Sequence, residues 1–537
     1  MRGFGRRCAR AGLWALALML ALPLASCAPA PVAMWSPPSV TPVPGVTLVL
    51  ADGPNSPSDE AETPSRETPD TVAAAPETGL LGLRPGRLRN DDFALAARFA
   101  YVPGVPAFNA WVNERLWAEI GAIGAGYAPQ AHGIDAGLSD RGCIAGSASW
   151  PAPEVLSRPE TAPPGGTGTA IICDITVAFG SLIEFRLRTV VGSAEAVTRD
   201  ELSLVYIDVE NGTFFEPPTR WNATAAAEVW FATVELLRHA AGSLSTAALA
   251  APDEAQLALA TAALDQAQTL ENGELLVTMP PGLASPELAR LGIEASTAPT
   301  EILVDPTKAA TLTSAEFQAL HADLGTPFIG IASAASSVPI DCGLIACVAL
   351  TYDDGPSDFT AQLLDTLAAH QARATFFMVG GYAVNRPELV ARVTAEGHEV
   401  ASHTMNHPDL TTLPLGEARA QVLNAGEILS NITGQPNTMF RPPFGAINSE
   451  VIAAVGLPAI LWSIDTNDWR RPGQDALFER AALGARVGDI ILFHDTHLDT
   501  VQAADAIIRG LRDRGFEPVT VTQLFGGQVP GGRVSRA

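Results

Sequence analysis

From residue 347 onward the chain alternates short apolar strands with helical stretches, and this rhythm constrains the fold more than any other feature. Residues 347–352 read as a strand, 359–369 as a helix, 374–379 as a strand and 387–396 as a helix. Residues 400–402 end a strand, 416–432 form a helix, 459–464 and 490–493 are strands, and 501–514 is a helix. Such alternation predicts a parallel sheet with helices outside it. In folds of this kind the chemistry gathers at the carboxyl ends of the strands, where most of the polar clusters of this segment fall.

Five clusters stand out. Thr351-Tyr352-Asp353-Asp354-Gly355-Pro356 puts two adjacent carboxylates at a strand end, where they repel unless a cation is near; alone it is also an ordinary Asp-Gly-Pro turn. His403 and His407 can share a metal, and Pro408 disfavours helix at His407, so the pair belongs to a loop or a single turn. Phe440-Arg441-Pro442-Pro443-Phe444-Gly445 is a rigid loop carrying a cation. The run from Trp462 to Trp469 is a strand end with aromatic packing. His494 closes an apolar strand, a common place for a packed histidine.

Taken in order, T-Y-D-D-G-P, S-H-T-x-x-H, R-P-P-F-G, D-x-x-D-W and L-F-H resemble the motifs of the NodB-homology polysaccharide deacetylases, carbohydrate esterase family four. The resemblance implies an α/β fold, a distorted (β/α) barrel over residues 339–530. It implies a hydrolase that removes acetyl groups from N-acetylated glycans with a divalent metal, zinc first and cobalt as the alternative. By that likeness Asp354, His403 and His407 are the ligands, leaving a position open as catalytic zinc requires. Asp353 is the general base, Arg441 pairs with it, His494 protonates the leaving amine, and Asp465 supports His494 in its charged form. Phe444 stands where the family usually has Tyr, and its backbone N–H is the expected oxyanion donor. Trp469 and Leu492 form an apolar wall for the acetyl methyl. Asp468 and His497 either contact sugar or are simply solvated.

The rest of the chain speaks to location. Arg2, Arg6, Arg7 and Arg10 precede an apolar run over residues 12–24, and Leu24-Ala25-Ser26-Cys27 resembles a bacterial lipobox. Residues 1–27 therefore read as a lipoprotein signal peptide with Cys27 as the lipidated residue, the alternative being an ordinary secretory signal. Four cysteines remain, Cys143, Cys173, Cys342 and Cys347, and an even number in an exported chain suggests disulfides. Of three pairings, Cys143–Cys173 with Cys342–Cys347 keeps each bridge within one expected domain. Residues 28–78 hold 11 Pro, so 28–90 read as a disordered tether. Residues 91–338 read as a small α+β domain of unknown role. It has a helix over 108–123, β-rich sequence over 170–191 and an Asn211-Gly212 hairpin. Residues 223–264 are helical, and 151–166 form a surface loop or insertion. This domain resembles the extracellular domain shared by RsiV-type anti-sigma factors and some Gram-positive deacetylases.

Lys and Arg number 33 against 58 Asp and Glu, a formal net charge of −25. That balance excludes nucleic acid as the main partner and electrostatic docking on anionic lipid. The expected location is the cell membrane, through a lipid anchor, facing the wall or periplasm. Peptidoglycan, as N-acetylglucosamine or N-acetylmuramic acid, is then the first substrate. Exopolysaccharide, chitin-type oligomers and acetylxylan are alternatives. A second class is a ligand-sensing lipoprotein with a vestigial enzyme domain. The sequence leaves the oligomeric state open.

Overall fold

The computed structural model describes residues 43–49, 82–243, 245, 247–270, 272–331 and 338–537. Cys27 and the expected signal peptide lie outside the described residues, as does most of the expected tether. The described parts of that tether are not coil. Val46–Val49 is a strand paired antiparallel with Thr300–Val304, and Arg84–Asn90 is a strand paired with Leu95–Tyr101. The average over a Pro-rich window conceals these short runs. Val-Thr-Leu-Val is itself β-prone, and Arg84–Asn90 alternates buried and half-buried residues at strand period.

Residues 91–338 hold more than one layer. A six-stranded sheet runs in the order Arg84–Asn90, Leu95–Tyr101, Thr167–Phe179, Leu182–Ser193, Val197–Asp208, Thr213–Phe215. Helix Pro106–Ile123 lays Phe108, Val112, Leu116 and Ile120 on it, the spacing of one helical face. The Asn-Gly turn closes the last hairpin, with Gly212 at φ +65°. A separate four-stranded sheet joins Val46–Val49, Thr300–Val304, Leu275–Met279 and Gln268–Thr269. The helical stretch expected over 223–264 is two helices, Ala225–Ala240 and Glu254–Asp265, which share a core with that sheet. Gly242 and Pro252 fall in the break, where a helix is least tolerated. The expected surface loop over 151–166 contains a short helix, Ala152–Val155. Its Val155 and the following Leu156 are fully buried against Ile172 and Val190. Disulfides join Cys143 to Cys173 and Cys342 to Cys347.

The carboxyl-terminal sheet is parallel, in the order Glu399–Ser402, Thr375–Met378, Cys347–Gly355, Ile490–His494, Ile464–Asp465, with Glu517–Val519 also pairing with Cys347–Gly355. Cys347–Gly355 is its centre. Val348, Leu350 and Tyr352 face the outer helices, while Cys347 and Ala349 face inward. The wall continues through bridges from Ser402 to Phe440 and from Phe440 to Ala459. The single strand expected over 459–464 is two, Ala459–Ile460 and Ile464–Asp465. Between them the carbonyls of Ile460 and Leu461 accept from the Arg441 guanidinium. The chain there serves a buried cation rather than a continuous ladder.

The inner core of this sheet does not stop at its amino end. Phe377, Ala349, Ile490 and Val519 belong to one apolar cluster with Leu88, Phe99, Phe108 and Phe185 of the six-stranded sheet. At the same junction Glu517, 2% exposed, meets Arg84 at 2.7 Å, Arg141 at 2.5 Å and Arg512 at 3.4 Å. Asp513 accepts the backbone N–H of Asp135 and of Gly137.

Candidate active site

The functional end is the opposite one. Asp353 lies two residues before the end of the central strand, in register with His494 on the neighbouring strand. Its Oδ1 accepts from Arg441 Nη1 at 2.8 Å. Arg441 is fully buried, and three further donors go to Thr351 Oγ1 at 2.8 Å and to the Ile460 and Leu461 carbonyls at 3.1 Å each. Its guanidinium also lies 4.1 Å from the Phe377 ring centroid. A buried cation is tolerable only when it is paired and bonded in this way. Burial draws its pKa down, and the Asp353 carboxylate opposes that.

After Asp353 the pairing register shifts, and Asp354 adopts φ +69°. This turns its carboxylate onto the histidine loop, with Oδ1 3.4 Å from His403 Nε2 and 3.2 Å from His407 Nε2. Gly355 must be glycine here, because a Cβ would sit 2.6 Å from the Asp495 carboxylate. His403 Nδ1 lies 2.8 Å from the Arg441 carbonyl oxygen and, as donor, leaves the Nε2 lone pair free for a ligand. His407 has φ +59°, its N–H donates to Thr404 Oγ1, and its ring stands edge-on to Phe444. Thr404 and Phe444 also have positive φ, at 68° and 61°. Each such non-glycine residue costs on the order of 1–3 kcal/mol, and strain of this kind collects at functional sites.

Among the described residues Asp354, His403 and His407 form the one group able to hold a metal. Tetrahedral zinc, with bonds of about 2.0–2.2 Å, places its ligand atoms roughly 3.3 Å apart. The observed separations of 3.4 and 3.2 Å fit that demand. Burial raises the Asp354 pKa, but the His403 hydrogen bond and the histidine charges outweigh it and bring the carboxyl to about 2. Burial, with His403 next, lowers that of His407. Both shifts favour the metal-binding forms, carboxylate and neutral imidazole.

His494 has a different partner from the one expected. Its Nδ1 donates to Asp468 Oδ1 at 2.7 Å, and its backbone N–H donates to Asp468 Oδ2 at 2.7 Å. Asp465, expected in that role, instead accepts the Asn467 N–H at 2.8 Å. Asp465 pairs beside Leu492, two residues short of His494, and a tight turn with Asn467 at φ +52° brings Asp468 back beneath the ring. The D-x-x-D-W motif offers both carboxylates and spacing along the strand does not choose between them. Asp468 is 2% exposed, so it is neither solvated nor open to sugar. Burial would lower the His494 pKa, yet the Asp468 hydrogen bond and charge carry it up to about 9. Nε2 faces inward, 4.0 Å from Asp354 Oδ2. The His497 ring lies 5.9 Å from that of His494.

The carboxylates, the three histidines, Phe444, Trp469, Leu492, Asp465 and Trp462 line one cleft of about 440 Å³. Trp462, which the sequence marks only as aromatic packing at a strand end, is part of this wall. Phe444 is 72% and Trp469 51% exposed, so both stand at the rim. The arrangement offers a carboxylate at the position of a base, a three-ligand metal site and a protonated imidazole around one apolar-walled cleft.

Residues 343–457 match the polysaccharide deacetylase family. The chain is 40% identical over 187 residues to the peptidoglycan-N-acetylglucosamine deacetylase of Listeria monocytogenes, covering 35% of this chain and 40% of that protein. It is 39% identical over 178 residues to the peptidoglycan-N-acetylmuramic acid deacetylase of Bacillus subtilis, covering 33% and 38%. The chain thus spans two-fifths or less of those two relatives. It is 41% identical over 187 residues to a chitooligosaccharide deacetylase of Sinorhizobium fredii, covering 32% of this chain and 87% of that protein. A solved peptidoglycan deacetylase from Bacillus subtilis overlaps 35% of this chain and 93% of its own, at 37% identity and a TM-score of 0.34.

Proposed function

This chain belongs to the polysaccharide deacetylase family, and from that premise we propose that it is a divalent-metal-dependent N-deacetylase of cell-envelope glycan, with peptidoglycan N-acetylglucosamine as its first substrate. One observation carries the reading: Asp353, the Asp354–His403–His407 set and the Asp468-supported His494 converge on one cleft. A divalent ion held by Asp354, His403 and His407 would acidify water and polarise the acetyl carbonyl. Asp353, oriented by Arg441, takes the proton from the attacking water. The Phe444 backbone N–H faces the oxyanion, and Trp469 and Leu492 enclose the acetyl methyl. His494 keeps its proton near neutrality and delivers it from Nε2 to the leaving amine, while Nδ1 stays bonded to Asp468. The complete set speaks against a vestigial site.

The relatives' printed activities on peptidoglycan and on chitooligosaccharides both support an N-acetylated aminosugar. The lipobox-like Cys27 supports a membrane-anchored enzyme facing the wall, which favours peptidoglycan. The deciding experiment incubates the purified protein and zinc or cobalt with peptidoglycan and with chitin oligomers and scores acetyl loss by product mass. Loss from peptidoglycan is expected. No loss from either would overturn the reading, and loss from chitin oligomers alone would move the substrate to a soluble oligosaccharide.

A further inference from the structure

Asp468 is held by four donors, two on each oxygen. Oδ1 accepts from His494 Nδ1 at 2.7 Å and from the Trp469 N–H at 2.9 Å. Oδ2 accepts from the His494 N–H at 2.7 Å and from Thr500 Oγ1 at 2.9 Å. Two of these donors belong to His494 itself and one to the backbone beside Asp468. Apart from His494, Thr500 is the one of the four brought in from another element, helix Leu498–Asp513, and it is 1% exposed.

Its hydroxyl does not make the local bond of a mid-helix threonine; like Thr360 on Asp495 and Thr522 on Glu399, it serves a distant carboxylate. Thr233, Thr261, Thr366 and Thr433 each turn the hydroxyl back to the carbonyl four residues earlier, the usual local bond. Thr500 stands in the first turn of its helix and instead reaches a carboxylate 32 positions earlier. Neither does it cap the helix; the cap position is His497, which makes no side-chain cap bond.

We propose that Thr500 is a positioning residue of the deacetylation chemistry, holding the Asp468 carboxylate in the plane that keeps the His494 ring turned with Nε2 toward the cleft. The inference rests on the reading of His494 as the proton donor. Without the Thr500 bond, Oδ2 keeps only the His494 N–H, and the carboxylate can rock about that contact. The ring follows because its Nδ1 is bonded to the other oxygen. Proton delivery is sensitive to such a tilt, since a displacement of about 1 Å can cost on the order of 100-fold.

The test compares Thr500→Val, which keeps the shape and loses the hydroxyl, with Thr500→Ser, which keeps the hydroxyl. The Val variant should lose kcat about tenfold, the typical effect of one hydrogen bond to a charged group, with KM for the glycan and metal content unchanged. The Ser variant should recover most of kcat. A second readout needs no turnover: with ¹⁵N-labelled histidine, the His494 Nδ1–H resonance should be sharp in the native protein and in Thr500→Ser, and broadened in Thr500→Val. Native kcat and a native resonance in Thr500→Val would overturn the proposal, as would a Ser variant no better than Val. If the native protein deacetylates no glycan, the functional reading fails while the resonance comparison still decides the role of Thr500.

Discussion

Asp353 and Asp354 are neighbours in the chain with opposite tasks, and single substitutions should separate them. Asp353→Asn keeps the three ligands and removes the base, so metal content should stay native while the rate falls about 10²–10⁴-fold. His403→Ala removes one of three ligands and should lower bound metal, as elemental analysis of the purified variants would report. Native metal content in His403→Ala would show the site to be elsewhere. His494 offers a pH test with a defined sign. Its pKa lies near 9 because the Asp468 bond and charge outweigh burial, so the acid stays protonated up to that pH. Asp468→Asn removes the charge, and the alkaline limb of the kcat/KM profile should move to lower pH. The same substitution at Asp465, which lines the cleft but accepts from the Asn467 N–H rather than from His494, should leave that limb in place. At this scale the sequence is legible for residue types and order but not for the choice between two carboxylates three residues apart, because a left-handed Asn467 reverses the path between them.

At the scale of elements, alternation of apolar and helical segments predicts every parallel strand that carries a functional group. It does not predict where a strand breaks. Residues 459–464 are apolar enough to run as one strand, yet Arg441 takes two of their carbonyls, a demand made by a residue on another loop. Nor does periodicity reveal left-handed backbone at Asp354, Thr404 and His407, since none is glycine. Gly355 is where element and site meet. A methyl group there would press on the Asp495 carboxylate, and relief requires moving the strand end that bears Asp354. Gly355→Ala should therefore cost about 1–3 kcal/mol in denaturant unfolding and weaken metal affinity in a titration. Unchanged affinity with lowered stability would mean that the strand end relaxes without moving the carboxylate.

At the scale of the whole molecule, buried Glu517 gathers Arg84, Arg141 and Arg512. Burial opposes its charge, but the three guanidiniums prevail and hold its pKa well below the ordinary value. A depressed carboxyl contributes stability above its unfolded pKa and loses it as pH falls through the folded one. The native junction should therefore persist into mildly acidic solution. Glu517→Gln leaves three guanidiniums without their counter-charge and should destabilise the protein by about 3–5 kcal/mol at neutral pH, as denaturant midpoints would report. The apolar half of the same junction was not legible, because hydrophobic pattern marks a face as buried without naming what buries it. Its core is continuous from Phe99 and Phe185 to Phe377 and Val519, whereas the recognisable family segment opens at residue 343. A cut at that point passes through shared apolar packing, so in this chain the segment after it, expressed alone, would leave Phe377 and Val519 without part of their cover.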